Sequence, residues 1–193
     1  MKFREASPVN LPIPEEGHLV HQAKSGDSEA FAQLYDAYVE RVYRYVYFRV
    51  SDDQTAEDLA SQVFLKAWEG LERFEMKGSP FVAWLYTIAH NLVVDHYRTR
   101  KDCVALEEVI PLASEEDPLD EQVWVTFDLE TMRDALQFLN EEQQQVLTLR
   151  FIAELSTGHI AKIMGKREGA IRALQMRALQ MMAKYMQERK CYE

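Results

Sequence analysis

The sequence predicts an all-α protein of two small helical domains joined by an acidic linker. Three observations carry this. Apolar residues recur at three- and four-residue spacings up to about residue 100 and again from about 127; no strand alternation of useful length occurs; and acidic residues gather between the two periodic stretches. The 193 residues leave room for two such units, and a 47% share of hydrophobic residues is enough to pack them.

Residues 1–17 carry Pro8, Pro12 and Pro14 among few periodic apolar positions and read as a flexible arm. From Phe31 the pattern turns helical. Phe31, Leu34, Tyr35, Tyr38, Val42, Tyr45 and Val46, continuing through Tyr47 to Val50, paint one broad apolar stripe, with Ser28 as the expected N-cap. A second helix follows Ser51-Asp52-Asp53, whose acids sit where the helix dipole favours them. Its expected buried side is Ala56, Leu59, Ala60, Val63, Phe64, Ala67, Trp68 and Leu71, with Gly70 fraying its end. Ser79-Pro80 opens a third helix, about Pro80 to Arg100, with Phe81, Trp84, Leu85, Ile88, Ala89, Leu92, Val93 and Tyr97 facing inward.

Residues 102–126 lose this periodicity; Pro111 and Pro118 interrupt them, and acids cluster as Glu107-Glu108 and Glu115-Glu116-Asp117, the composition of a linker. The domains are therefore expected at 18–101 and 127–193. Helices resume at about Phe127–Leu139 and Asn140–Ala153, and two more, Ser156–Met164 and about Arg167–Tyr185, are split by Gly165. This last pair reads as a helix-turn-helix: Ile160, Ala161, Ile163 and Met164 pack the first helix, Gly165 permits the turn, and Ala170, Ile171 and Leu174 pack the second back.

Net charge is -10, which taken whole disfavours a nucleic-acid partner. Its distribution points the other way: net -3 over residues 1–101, -12 over 102–142 and +5 over 143–193. The cations Lys166, Arg167, Arg172 and Arg177 fall on the second helix of the helix-turn-helix, the element that such motifs set in the major groove, and Ser156 and Thr157 would offer backbone N–H groups to phosphate. A basic amphipathic helix is as often merely solvated, so this segment alone leaves DNA binding and a solvated face equally open.

No stretch approaches the roughly 18 apolar residues of a membrane span and the N-terminus lacks a signal-peptide core, so a cytoplasmic protein without membrane insertion is expected. Cys103 and Cys191 form no CxxC pair and read as free thiols. No HExxH, GxSxG or P-loop is present, and His90 and His96 stand six apart rather than the four that places two ligands on one helix face. Neither an enzyme, a metal site nor a cofactor is expected. A one-component regulator would share the helix-turn-helix but add a sensor domain, and the helical block 28–100 offers no strand-rich sensor.

The run AEDLASQVFLKAWEGLERF (56–74), followed by SPFVAWLYTIAHNLVVDHYR (79–98), resembles region 2 of the extracytoplasmic-function (ECF) sigma factors, through Ala56, Glu57, Asp58, Gln62, Phe64, Ala67, Trp68, Phe81, Trp84, Leu85, Ile88, Ala89, Asn91, Asp95 and Arg98. LNEEQQQVLTLRF (139–151) and the helix-turn-helix resemble region 4. The chain departs from the family at Val63, where an acid is usual, and at Ala173-Leu174, where many members carry Ser-Arg. The resemblance implies a transcription initiation factor, monomeric when free, that binds core RNA polymerase and promoter DNA, and an anti-sigma inhibitor is an expectation on the same ground. It assigns polymerase contacts to Asp58, Gln62, Phe64 and Lys66. To the -10 element it assigns Met76, Lys77, Ser79, Asn91, Asp95, Arg98, Arg100 and Lys101, and to the -35 element Ser156, Thr157, Lys166, Arg167, Arg172 and Arg177. Thr87, Asn91, Asp95 and Arg98 would form one polar stripe on the third helix, although Asp95 and Arg98 equally suit a plain surface ion pair. The acidic linker would thread toward basic channels of the polymerase or serve as a solubilising spacer, two readings equally open, and in the free protein it would partly neutralise the basic C-terminal helix.

Overall fold

The computed structural model describes residues 15–50, 52–76, 80–101 and 129–190, and within these every regular element is helical. The N-terminal unit comprises α1 (Glu16–Lys24), α2 (Ser28–Tyr47), α3 (Asp53–Gly70) and α4 (Phe81–Lys101). The C-terminal unit comprises α5 (Leu129–Gln137), α6 (Glu141–Leu147), α7 (Thr157–Met164) and α8 (Glu168–Lys190). The expected linker, 102–126, and both cysteines lie outside the described residues.

Helix α1 begins at Glu16, inside the stretch read as an arm, and residues 1–14 lie outside the described residues. Glu16, Val20 and Ala23 form its buried side, and the Tyr38 hydroxyl donates to the Glu16 carboxyl group, so a polar side chain is held inside by a partner on α2. Helix α2 is capped by Asp27 rather than Ser28: the Asp27 carboxylate accepts from the N–H groups of Glu29 and Ala30 at 3.0 and 3.2 Å. Leu34, Tyr38, Val42, Tyr45 and Val46 are fully buried along it, whereas Tyr35, expected in the stripe, is exposed.

Asp52 caps α3 by accepting from the Thr55 N–H at 2.7 Å. The expected buried side is buried from Ala56 to Ala67, but Trp68 is 40% exposed, its ring edge-on to Phe31 at 4.8 Å. Gly70 ends the helix against Trp84, whose ring would lie 3.4 Å from any Cβ placed there. A 3-10 turn, Leu71–Arg73, then leads to Phe74, which stacks on Trp84 at 4.6 Å and meets Phe81 edge-on. Phe81, Leu85, Ala89 and Val93 face the core of α4 completely, while Trp84, Ile88 and Tyr97 are only half-buried.

In the C-terminal unit a capping box starts α6: Asn140 and Gln143 exchange side-chain and backbone hydrogen bonds. The helix expected to run on to Ala153 widens into a π-helical turn, Thr148–Ile152, closed by the Ala153 N–H on the Thr148 carbonyl. Ser156 caps α7 by accepting from the His159 N–H, and Gly165, at φ 62°, makes the left-handed turn into α8. Ile160, Ala161, Ile171, Leu174 and Ala178 pack the two helices together. Ala170, expected among them, is exposed because it lies off the stripe of Ile171, Leu174 and Ala178.

The two units pack against each other, the π-helical turn on α2 and α7 on α4.

Candidate nucleic-acid and partner interfaces

Three exposed helix faces collect most of the residues singled out above, and a fourth region joins the two units. On α3, Asp58, Gln62 and Lys66 are exposed. Phe64 is not: it is 4% exposed and packs edge-on against Tyr35 at 4.7 Å, so the structure places it in the core rather than at a contact surface. Leu65, which sequence reasoning passed over, stands 58% exposed at the i, i+4, i+7 register with Asp58 and Gln62. It falls off the period of Ala56, Leu59, Ala60, Val63 and Ala67, and that mismatch was the signal available in the sequence. Tyr35 and Trp68 extend the exposed apolar area to the α2 side of the same helix.

Along α4, Asn91, Asp95 and Arg98 are exposed, and Arg98 donates to Asp95 at 3.2 Å as a solvated i,i+3 pair. Thr87 is half-buried, with its hydroxyl donating to the Ala83 carbonyl. Arg100 and Lys101 belong to the last turn of α4. Of the preceding loop, Met76 is exposed and Lys77 and Ser79 lie outside the described residues. The loop's start is fixed by the Lys24 ammonium, which donates to the Phe74 carbonyl at 2.7 Å.

Around the helix-turn-helix, Ser156 and Thr157 lie at the start of α7, while Arg167, Arg172 and Arg177 are exposed at and along α8. Arg172 pairs with Glu168 at 3.0 Å and Arg177 donates to the Ala173 carbonyl at 3.3 Å, both bonds holding the side chains along their own helix. Lys166 instead reaches back to Glu142 at the start of α6, 2.8 Å away, and is committed to an ion pair within the unit.

The junction between the units is polar and specific. Arg133 on α5 donates to the Val50 carbonyl at 3.2 and 3.0 Å and to Asp53 at 2.8 Å, and Gln137 adds a bond to the same carbonyl. On the other side, the Gln145 amide nitrogen lies 2.7 Å from Nδ1 of His90. To accept there the ring must be neutral. Burial, with Arg49 nearby as a second cause, lowers the His90 pKa to about 4, which keeps it so. Arg49 is itself 1% exposed, and the Tyr45 hydroxyl lies beside its guanidinium without a hydrogen bond of good geometry. Between α4 and α7 a cavity of about 350 Å³ is lined by Phe74, Trp84 and Thr87 from one unit and His159, Lys162 and Ile163 from the other. The Thr87 end of the α4 stripe therefore faces α7. No group of three or more metal-ligating side chains occurs among the described residues, and no described helix is long and apolar enough to cross a membrane.

Residues 34–102 match the Sigma-70 region 2 family and residues 135–184 match Sigma-70 region 4. The chain is similar to the ECF RNA polymerase sigma factor BldN of Streptomyces coelicolor, with 41% identity over 87% of this chain and 64% of that protein. It is also similar to the ECF RNA polymerase sigma factor SigD of Mycobacterium tuberculosis, with 33% identity over 84% of this chain and 79% of that one. Among solved structures, the sigma factor RpoE of Bartonella quintana, in complex with the anti-sigma factor NepR, aligns with a TM-score of 0.66 at 26% identity, covering 81% of this chain and 96% of that one.

Proposed function

The chain belongs to the ECF family of RNA polymerase sigma factors, and we propose that it binds core RNA polymerase through α3 and carries two DNA-reading surfaces, on α4 and α8, to the -10 and -35 elements of a promoter. The observation that carries this is the pairing of exposed faces: Asp58, Gln62 and Leu65 share one face of α3, while Asn91, Asp95 and Arg98 line α4, a separate helix packed on α3 in the same unit. A partner docked on α3 thus leaves α4 free to meet DNA.

Each surface has a distinct task. On α4, melting requires a base to leave the stack at a cost of a few kcal/mol, regained where the extruded base meets a polar pocket. The Asn91 amide supplies both donor and acceptor for a base edge, Arg98 exchanges Asp95 for a phosphate, and the family resemblance assigns Met76, Lys77 and Ser79 to the same element. Arg100 and Lys101 extend the phosphate track. On α7 and α8, Ser156 and Thr157 present backbone N–H groups to phosphate while Arg167, Arg172 and Arg177 grip the groove walls. Lys166 joins them by exchanging Glu142 for DNA. Because α7 lies against the Thr87 end of α4, the closed arrangement is the free form, and the polymerase engages the units after they part. The acidic linker passes through basic channels of the polymerase.

The protein acts in the cytoplasm as a monomer when free, catalyses no step of its own, needs no cofactor, and is held inactive by an anti-sigma partner of the kind bound to RpoE. The experiment is retention of the purified chain on immobilised core RNA polymerase, followed by photocrosslinking to a promoter fragment. The reading predicts retention and two separate crosslinked tracts, one from α4 and one from α8. A chain that passes through the core polymerase column would contradict it.

A further inference from the structure

Ile171, Leu174 and Ala178 fix the inward side of α8. At 100° per residue, the centre of the opposite side over the first three turns of α8 falls on Gly169, Ala173 and Met176, spaced i, i+4 and i+7. All three are open to solvent: Ala173 is exposed, Met176 is 55% exposed, and a Cβ at Gly169 would meet nothing within 4 Å. From Gly169 to Met176 this ridge carries no side-chain N–H, O–H or oxygen; Gln180, the next residue on the same line, is half-buried and brings its first amide. Polar groups stand beside it instead: Arg172 on one shoulder and Arg177 on the other, each tied along the helix by Glu168 and by the Ala173 carbonyl respectively.

Cationic shoulders with an apolar crest complement a groove whose walls are phosphate and whose floor is base edges. A hydrogen-bonding crest would discriminate bases by donor and acceptor pattern. An apolar crest cannot, and it leaves polar edges beneath it dehydrated and unpaired, which is costly. The floor of the major groove offers one apolar group, the 5-methyl of thymine, and small apolar side chains are its usual partners. We infer that α8 reads its promoter element through thymine methyl groups lying under Ala173 and Met176, with Gly169 letting the helix approach closely and Arg172 and Arg177 gripping the two backbones. This rests on the reading of α8 as the helix that meets the -35 element.

Deoxyuridine differs from thymidine by that methyl alone, so it isolates the contact. The holoenzyme, assembled from core RNA polymerase and the full chain, is first used to select tight-binding duplexes from a pool randomised across the -35 region. A selected duplex is then remade with deoxyuridine at one thymine at a time, and affinities are compared. Burial of one methyl corresponds to about fourfold in binding. The inference predicts a loss of about that size at one or two thymines, and it predicts that Met176→Ala becomes insensitive to deoxyuridine at one of them. Tight binding that no deoxyuridine replacement weakens would overturn the inference and leave the promoter reading standing. A holoenzyme that selects no -35 sequence would overturn both.

Discussion

The guanidinium of Arg133 stacks over the ring of Tyr47, 4.0 Å from its centroid, while its N–H groups bind the Val50 carbonyl and Asp53. One side chain of the C-terminal unit thereby closes on both the end of α2 and the start of α3. Arginine suits the position because its planar fork can stack and donate in two directions at once, which a lysine ammonium cannot. Arg133→Ala is expected to weaken the junction by about 1–3 kcal/mol, and Arg133→Lys to recover only part of that. A spin-label distance between α3 and α8 should lengthen and broaden in the alanine variant while helix content stays the same. An unchanged distance distribution would show that the junction does not depend on this residue.

Acid should loosen the same junction from its other side. His90 is neutral where it meets Gln145, and its pKa of about 4 lies below the ordinary 6.5. The folded state therefore binds the proton more weakly than the unfolded chain, so its contribution to stability is complete above pH 6.5 and is lost as pH falls toward 4. Carboxylates titrate near the lower end of that window, so the informative quantity is the difference between the wild type and His90→Gln. The variant should show a shallower fall in melting temperature between pH 6.5 and pH 5. Parallel curves would place the imidazole in water.

Neighbouring residues on α3 should separate folding from binding. Phe64 is a core residue, and Phe64→Ala is expected to cost about 3–5 kcal/mol of stability. Leu65 is exposed, and Leu65→Ala should change stability by less than about 0.5 kcal/mol yet lower affinity for core polymerase severalfold. Thermal unfolding and core-binding titration, run on both variants, check this. Loss of polymerase binding in Phe64→Ala at a temperature where it remains folded, with Leu65→Ala unaffected, would reverse the assignment.

Arg49 presents the opposite case, a charge whose removal should help. Its buried guanidinium has the Tyr45 hydroxyl beside it but no hydrogen bond of good geometry, and a buried polar group left unpaired costs about 1–3 kcal/mol that an apolar side chain of similar length avoids. Arg49→Met is expected to keep or raise the midpoint of urea unfolding. A large drop would mean that the guanidinium is held by bridging water.

Much of this architecture is legible in the sequence because it is written in local periodicity. The stripe of α2, the buried side of α3 from Ala56 to Ala67, the proline-led start of α4 and the glycine turn at Gly165 each follow from spacing and turn chemistry over a few residues. What escaped the sequence depends on distant partners. Helix α1 is short and largely polar, and its buried Glu16 makes sense only once Tyr38 is seen to donate to it. Tyr35 and Trp68 fit the helical period yet lie at its margin, where periodicity cannot tell a core aromatic from a surface one. Lys166 looks like one cation among several until its pairing with Glu142 separates it from the others. Arg133, the main link between the units, is the single basic residue among the thirteen acids of 102–142, and nothing in its neighbourhood marks it as a junction residue.

Run-off transcription tests the central claim most directly. Core RNA polymerase is supplied with a duplex template bearing promoter elements selected by the holoenzyme, with and without the purified chain. The account predicts a transcript of defined start that requires the chain and is lost when Asp58, Gln62 and Leu65 are all replaced by alanine. Equal transcript in the chain's absence, or none in its presence, would contradict it.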